Sequence, residues 1–525
     1  MSTVDNAEGV GISVPDVVGG ASVEVTKLTA TVGDIPALMQ GLLSSNNENQ
    51  LSCLRQFRKL LSTESNPPVQ QCIDCGALPL FVKFLERFDS PQLQFEAAWA
   101  LTNIASTDKT RVVVESGALP LLTQLLQSPN ADIREQCAWC LGNIAGDSSE
   151  FRNIVLGLNA LEPLAANVAQ PANLSLLRNC TWALSNFCRG KPQPPMHVVA
   201  PALPVLAHVL INSNDQDTII DATWALSYLS DGENSRIQAV VDLGIIPSLV
   251  GMLQSNKTQY IVPALRTLGN IVSGNDSQTQ AVINANSVTA LLPLLSHAKK
   301  NIRKEACWMI SNIAAGTSAQ LNYLMSVPEL IPRVLSQMQV SSEWDVRKEA
   351  SWVISNIITG GTKNHVTMLV EHGAVRPICD LLEVNEVRML MMAMDTIDAM
   401  LRIDSGNEER LLRMIDEAGG VEKLEILQEH ENEDVYKKAV SMLEKYFGGE
   451  EEQESENLTP AVSSNQSTFS FGINAAPAFG KPQQQQLLTF GAPAGGFSFG
   501  QPAKAQPEQA SVFAFGQQTS GFPTL

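Results

Sequence analysis

The chain has 525 residues, 44% of them hydrophobic, and a formal net charge of −19 at pH 7. One globular core rarely exceeds roughly 250–300 residues, so the body is expected to be elongated or multi-domain. The acidic balance argues against nucleic acid or an anionic membrane as the main ligand and for a basic partner, because such a surface repels phosphates and draws cations.

From the N-terminus, residues 1–40 show no periodic apolar pattern and are expected to be a largely disordered extension. They lack the basic flank and apolar stretch of a secretory leader, and no later run approaches the roughly 20 apolar residues that cross a bilayer. An intracellular protein without membrane insertion is therefore expected. Nine cysteines in so long a chain make no disulfide framework and fit a reducing compartment.

Residues 41–449 read as one repeat domain, with a first unit opening near Asn46. The segment "EAAWALTNIAS" around Trp99 returns as "QCAWCLGNIAG" at Trp139, "NCTWALSNFCR" at Trp182, "DATWALSYLSD" at Trp224, "PALRTLGNIVS" at Arg266, "EACWMISNIAA" at Trp308 and "EASWVISNIIT" at Trp352. The steps are 40, 43, 42, 42, 42 and 44 residues. A Gly- and Pro-punctuated passage accompanies each copy, as in "ESGALPLLTQLLQSPN" at 115–130, so a unit reads as two or three short helices. That period predicts an all-α, armadillo-type, right-handed superhelical solenoid of about ten repeats, each unit burying its apolar face against its neighbours.

Cys72/Cys75 and Cys137/Cys140 have metal-pair spacing, but four converging ligands are missing and no histidine is near either pair. Buried packing is the expected role, with no metal and no cofactor. The six histidines are scattered across the units, and no serine, cysteine or paired-carboxylate constellation rises above the repeat pattern, so no enzyme is expected.

Trp and Asn four residues apart share a helix face, and five such pairs recur in the same phase: Trp99/Asn103, Trp139/Asn143, Trp182/Asn186, Trp308/Asn312 and Trp352/Asn356. A core position would not select asparagine repeatedly, so this ladder is expected to be exposed on the concave face. There the carboxamides would hold an extended peptide backbone while the indoles form slots for long basic side chains. Glu96, Glu135, Asp147, Asp221, Asp231, Asp276, Glu305 and Glu349 fall close to the ladder positions and would draw the cationic heads. The ladder is broken by Tyr228 after Trp224 and by Arg266 before Asn270.

Residues 45–447 resemble the importin alpha (karyopherin alpha) family of nuclear import adaptors. The resemblance rests on "FRKLLS" at 57–62, "FEAAWALTNIAS" at 95–106, "WCLGNIAGD" at 139–147, "LRNCTWALSNFCRGKPQPP" at 177–195 and "GNIVSGND" at 269–276. It implies a groove that binds Lys/Arg-rich nuclear localisation signals at two places. The major site would comprise Trp99, Asn103, Trp139, Asn143, Trp182 and Asn186, with Glu135 beside them, Asp147 meeting the best-held lysine and Thr110 assisting. The minor site would comprise Trp308, Asn312, Trp352 and Asn356, with Asp276, Glu305 and Glu349 as acidic neighbours. The break at Trp224, Tyr228, Arg266 and Asn270 would underlie the linker of a bipartite signal. The resemblance further implies cargo proteins, an importin beta family carrier, an export receptor acting with Ran-GTP, and shuttling between cytoplasm and nucleus.

Two features depart from that pattern. The first 50 residues hold one basic residue, Lys27, against six acidic ones, so the family's basic carrier-binding arm is missing or altered. After Asn103, "IASTDKT" is shorter than the family pattern and lacks its glycine. Residues 450–525 are expected to be a disordered tail, and their five Phe-Gly pairs, at 471/472, 479/480, 490/491, 499/500 and 515/516, resemble nucleoporin repeats. The competing reading is therefore an armadillo scaffold or cargo-specific chaperone that associates with nucleoporins at the nuclear envelope pore.

Overall fold

The structure, a computed structural model, describes residues 30–63 and 66–448; residues 1–29 of the expected N-terminal extension and the Phe-Gly tail at 450–525 lie outside these. Asparagine and aspartate side chains start several of the long helices. Asn46 accepts from the Glu48 and Asn49 amides, Asn130 from Asp132, Asn173 from Leu176, Asp215 from Thr218, and Asn432 from Asp434 and Val435. The ten long helices are α1 (Asn47–Leu61), α2 (Pro91–Ala105), α3 (Ala131–Asp147), α4 (Leu174–Cys188), α5 (Gln216–Ser230), α6 (Thr258–Val272), α7 (Lys300–Ala314), α8 (Trp344–Gly360), α9 (Val387–Ile403) and α10 (Glu433–Tyr446). Each packs on the next, and shorter helices such as Thr110–Glu115 and Ala118–Leu125 intervene, so a full unit has three helices. The result is the all-α armadillo solenoid that the period predicts. A further helix, Ile35–Leu42, packs on α1 with Ile35 and Leu42 buried and crosses the boundary expected at residue 40.

The turn between the two short helices repeats as faithfully as the long helix. Gly76, Gly117, Gly244, Gly373 and Gly419 have left-handed backbones there, and Asn159, Asn286 and Glu329 take the same conformation at the matching junctions. A side chain in that region costs roughly 1–2 kcal/mol, which explains the preference for glycine and asparagine. Contacts between units hold the register. Gln278 Nε2 donates to the Asn234 carbonyl at 2.9 Å, and Gln320 Nε2 to the Asp276 carbonyl at 2.9 Å.

The core runs the length of the solenoid. Ala98, Ala138, Ala183, Ala306 and Ala350 are fully buried, and Cys137, Cys140, Cys180 and Cys307 occupy equally buried positions on the same helices. Burial pushes the Cys140 and Cys180 thiols up to about 12, so they act as packing groups.

Two helix glycines make room for tryptophan on the next helix. A Cβ on Gly142 would stand 2.4 Å from Trp182 Cζ3, and one on Gly269 would stand 2.1 Å from Trp308 Cζ3. Gly269→Ala is expected to lower stability by about 1–3 kcal/mol through overpacking. Gly251→Ala, in a helix where an added Cβ meets nothing within 4 Å, is expected to raise it by about 0.5–1 kcal/mol. Urea unfolding midpoints of the two variants check this opposite pair of signs.

Candidate peptide-binding face

The ladder residues stand on consecutive long helices, and the asparagines tie those helices together. Asn103 Nδ2 donates to the Arg58 carbonyl at 3.3 Å, Asn143 to Thr102 at 3.3 Å, Asn186 to Gly142 at 3.1 Å, Asn270 to Ser227 at 2.9 Å and Asn356 to Ser311 at 2.9 Å. Each carbonyl belongs to the residue just before the ladder position of the preceding helix. The expected exposed ladder is thereby corrected: Asn186, Asn270 and Asn312 are buried, as is Trp308. The carboxamides tolerate this because a neighbouring main chain supplies the acceptor. Asn312 is the exception, its Nδ2 being buried without a partner.

One clamp bond leaves a carboxamide oxygen and a second N–H for another ligand on Asn143, Asn186 and Asn356. Asn103 and Asn270 donate a second time, to Ser62 Oγ at 2.8 Å and Ser230 Oγ at 3.2 Å. The residue before each ladder position is small: Thr102, Gly142, Ser185, Ser227, Gly269, Ser311 and Ser355. Trp139 is the most open indole at 41% exposure, whereas Trp99, Trp182, Trp224 and Trp352 are half-buried.

The acidic residues fall into distinct states. Asp147 is exposed at the end of α3, and the buried Thr110 hydroxyl lies 3.4 Å from its Oδ1, so this predicted pair is brought together. Glu135 accepts from Ser175 at 2.6 Å and Asn179 at 2.9 Å, both on α4. Asp276 is exposed in the first turn of Asp276–Asn284, and Asp231 pairs with Lys191 at 3.3 Å. Glu96 is not the free rim acid the sequence leads one to expect; it is buried between Arg55 and Arg58, each 3.0 Å away.

At the other end, Glu305 pairs with Arg266 at 2.5 Å, yet its Oε2 and the Oε2 of Glu349 are buried without partners. Burial raises Glu305 above the ordinary carboxylate range and carries Glu349 from its ordinary 4.5 to about 7. Asp221 reaches about 7 through burial and the neighbouring Asp217 and Asp215 charges.

Between the two ends, Trp224 and Tyr228 stack with ring centroids 6.1 Å apart. They line a cavity of ≈ 240 Å³ with Asp231, Arg266, Asn270 and Trp308. The predicted break is thus a shaped recess. Sequence reasoning missed two arginines that cover ladder rings, Arg58 at 4.0 Å from the Trp99 centroid and Arg388 at 5.0 Å from Trp352; Arg266, expected at the break, lies 5.7 Å from Trp308. Arg55 stands 44 residues before Trp99, a ladder-like step that pointed to it. Among the described residues, no group of three or more His, Cys, Asp or Glu side chains could hold a metal ion.

A profile of the armadillo/beta-catenin-like repeat matches residues 65–106, 106–146, 191–231, 234–273 and 275–315, and one of the atypical Arm repeat matches 409–461. The chain is 45% identical over 475 residues to importin subunit alpha-1b of Oryza sativa subsp. japonica, covering 89% of this chain and 85% of the relative. It is 45% identical over 448 residues to importin subunit alpha-2 of Arabidopsis thaliana, covering 83% of each. The chain belongs to the importin alpha family. As a member of that family it is not an enzyme. Among solved structures it is similar to an engineered protein at 26% identity and a TM-score of 0.71, covering 79% of this chain and 99% of that one.

The importin alpha face carries a testable proton linkage at Glu349. A carboxyl raised from 4.5 to about 7 binds protons more readily in the folded chain than in the unfolded one. Its contribution to stability therefore falls as pH rises through that window. Glu349→Gln is expected to raise the melting temperature relative to wild type at pH 8 and to change it little at pH 5. Paired thermal melts at the two pH values check the sign.

Proposed function

We propose that the chain is a non-enzymatic adaptor that holds Lys/Arg-rich localisation signals in extended form along the ladder face. One observation carries the reading: Trp139/Asn143 and Trp182/Asn186 stand on adjacent helices with free carboxamide capacity beside the exposed carboxylate of Asp147. Packed helices lie about 8–10 Å apart, and an extended chain rises about 3.3 Å per residue, so neighbouring rungs match a peptide advancing by three residues. Lysine methylenes fit between indoles, and the ammonium finds a carboxylate.

In this reading, the major site comprises Trp139, Asn143, Asp147, Trp182 and Asn186, with Thr110 and Glu135 orienting their surroundings and Trp99 and Asn103 at its edge. The minor site comprises Trp308, Asn312, Trp352 and Asn356 with Asp276, Glu305 and Glu349. The recess at Trp224, Tyr228, Arg266 and Asn270 underlies a bipartite linker. Membership in the importin alpha family supports cargo proteins and an importin beta family carrier as partners, and shuttling between cytoplasm and nucleus as location. An export receptor with Ran-GTP belongs to the same proposal. The armadillo body spans 41–449, and the 450–525 tail meets nucleoporins through its Phe-Gly pairs.

A second reading, a pore-associated scaffold or cargo-specific chaperone, is favoured by the single basic residue among the first 50 and by the five Phe-Gly pairs. Direct binding of an importin beta carrier separates the two, because an import adaptor must contact it. The groove itself is tested by calorimetric titration of the full chain with a lysine-rich bipartite peptide. Micromolar or tighter binding that weakens with salt is expected, and Trp139→Ala with Asp147→Lys should abolish it at the major site. Absence of binding by the wild type contradicts the adaptor reading.

A further inference from the structure

Three buried polar atoms at the minor site have no hydrogen-bond partner among the described residues: Glu305 Oε2, Glu349 Oε2 and Asn312 Nδ2. The two acids hold one register, each three residues before a ladder tryptophan, Trp308 on α7 and Trp352 on α8. Glu305 has a 13% exposed side chain and Glu349 is partly buried, on helices whose tryptophans are buried at Trp308 and half-buried at Trp352. Glu305 Oε1 is held by Arg266 on α6 at 2.5 Å, but Lys348, the neighbour of Glu349, is engaged by Glu386 at 3.3 Å. A carboxylate oxygen buried in this way is costly, and either a proton or a cation relieves it.

We propose that Glu349 binds a proton in the free chain and releases it to solvent when a basic side chain takes the minor site, so that peptide binding there is proton-coupled. The inference rests on the peptide-binding reading above and adds its regulation. In the complex an ammonium or guanidinium replaces the proton and meets Glu349 Oε2 and Glu305 Oε2, while a peptide carbonyl accepts from Asn312 Nδ2. One basic residue thereby supplies all three missing partners.

The charged groups that act on the pair come from four helices. Arg266 on α6, Lys304 on α7, and Lys348 and Arg388 on α8 and α9 favour the ionised forms, yet burial outweighs them, and the Glu305 charge adds to it at Glu349. Glu349 therefore titrates at about 7. The Cys307 thiol of α7, close enough to feel the Glu349 charge, stays protonated because burial pushes it up. The same register offers two contrasts. Glu96, three residues before Trp99, has an arginine 3.0 Å from each oxygen and lacks nothing. Asp221, three residues before Trp224, is also raised to about 7, by burial and by the Asp217 and Asp215 charges, and is the rival source of a proton.

The test uses the full chain carrying Trp139→Ala and Asp147→Lys, which leaves the minor site, and a histidine-free peptide of five consecutive lysines with neutral flanks. Calorimetry at pH 7 in buffers of different ionisation enthalpy should count about half a proton released per peptide bound, and the Kd should tighten about tenfold from pH 6 to pH 8. Adding Glu349→Gln should remove both effects, whereas adding Asp221→Asn should leave them. A proton count near zero overturns the proposal, as does a release that survives Glu349→Gln or disappears with Asp221→Asn. If Glu349→Gln binds too weakly to titrate, the counts in the parent and in Asp221→Asn still decide. Loss of all binding in the parent while the wild type binds overturns the proposal by removing its site; no binding by the wild type overturns the groove reading instead.

Discussion

The hydrogen bond that five of the six ladder asparagines make to the main chain of the preceding long helix is the constraint on which the face depends. It joins α2 to α1, α3 to α2, α4 to α3, α6 to α5 and α8 to α7 with the same pair of groups. Because the acceptor is a backbone carbonyl one residue before the next ladder position, the bond fixes axial register as well as spacing. At Gly142 and Gly269, each just before a ladder position, there is no room for a side chain, since a Cβ on either would collide with the tryptophan of the next helix; the acceptor on α1, Arg58, is a large residue, so the bond itself does not demand a small one. Clamp and slot are one arrangement. The asparagines are structural through one N–H and remain available through their other polar capacity.

The electrostatics divide the face into regions of different readiness. Glu96 is neutralised by two arginines, whereas Asp147 is exposed with the Thr110 hydroxyl 3.4 Å from its Oδ1. Glu305 and Glu349 carry buried oxygens without partners, and burial has already raised their proton affinity. An unpaired buried carboxylate is costly, and a cation that pairs with it relieves that cost. Low stability at that point and affinity for a basic ligand thus have the same physical origin. Between these regions the stacked Trp224 and Tyr228 offer a recess without a free asparagine, suited to a spacer more than to a lysine.

Much of this was legible in the sequence, because a period near 42 residues and a four-residue Trp/Asn spacing survive without coordinates. The solenoid, the break at Tyr228 and Arg266 and the proximity of Thr110 to Asp147 all follow from the repeats or from the family resemblance they carry. The burial of Asn186, Asn270 and Asn312 did not, since their acceptor is a backbone carbonyl some 43–44 residues away or, for Asn312, no acceptor at all. The loss of Glu96 was hidden for a related reason. Arg55 and Arg58 lie in a unit that lacks the tryptophan signature, so the 44-residue step from Arg55 to Trp99 was the one sequence signal that could have marked them as its neighbours.

The most direct measurement is a crystal structure of the chain with a lysine-rich localisation peptide. The account predicts an extended peptide on the ladder face, with lysine stems between Trp139 and Trp182, one ammonium on Asp147, and its backbone hydrogen-bonded to the free carboxamide groups of Asn143 and Asn186. A peptide seated elsewhere on the solenoid, or one that contacts neither Asp147 nor these indoles, would contradict it.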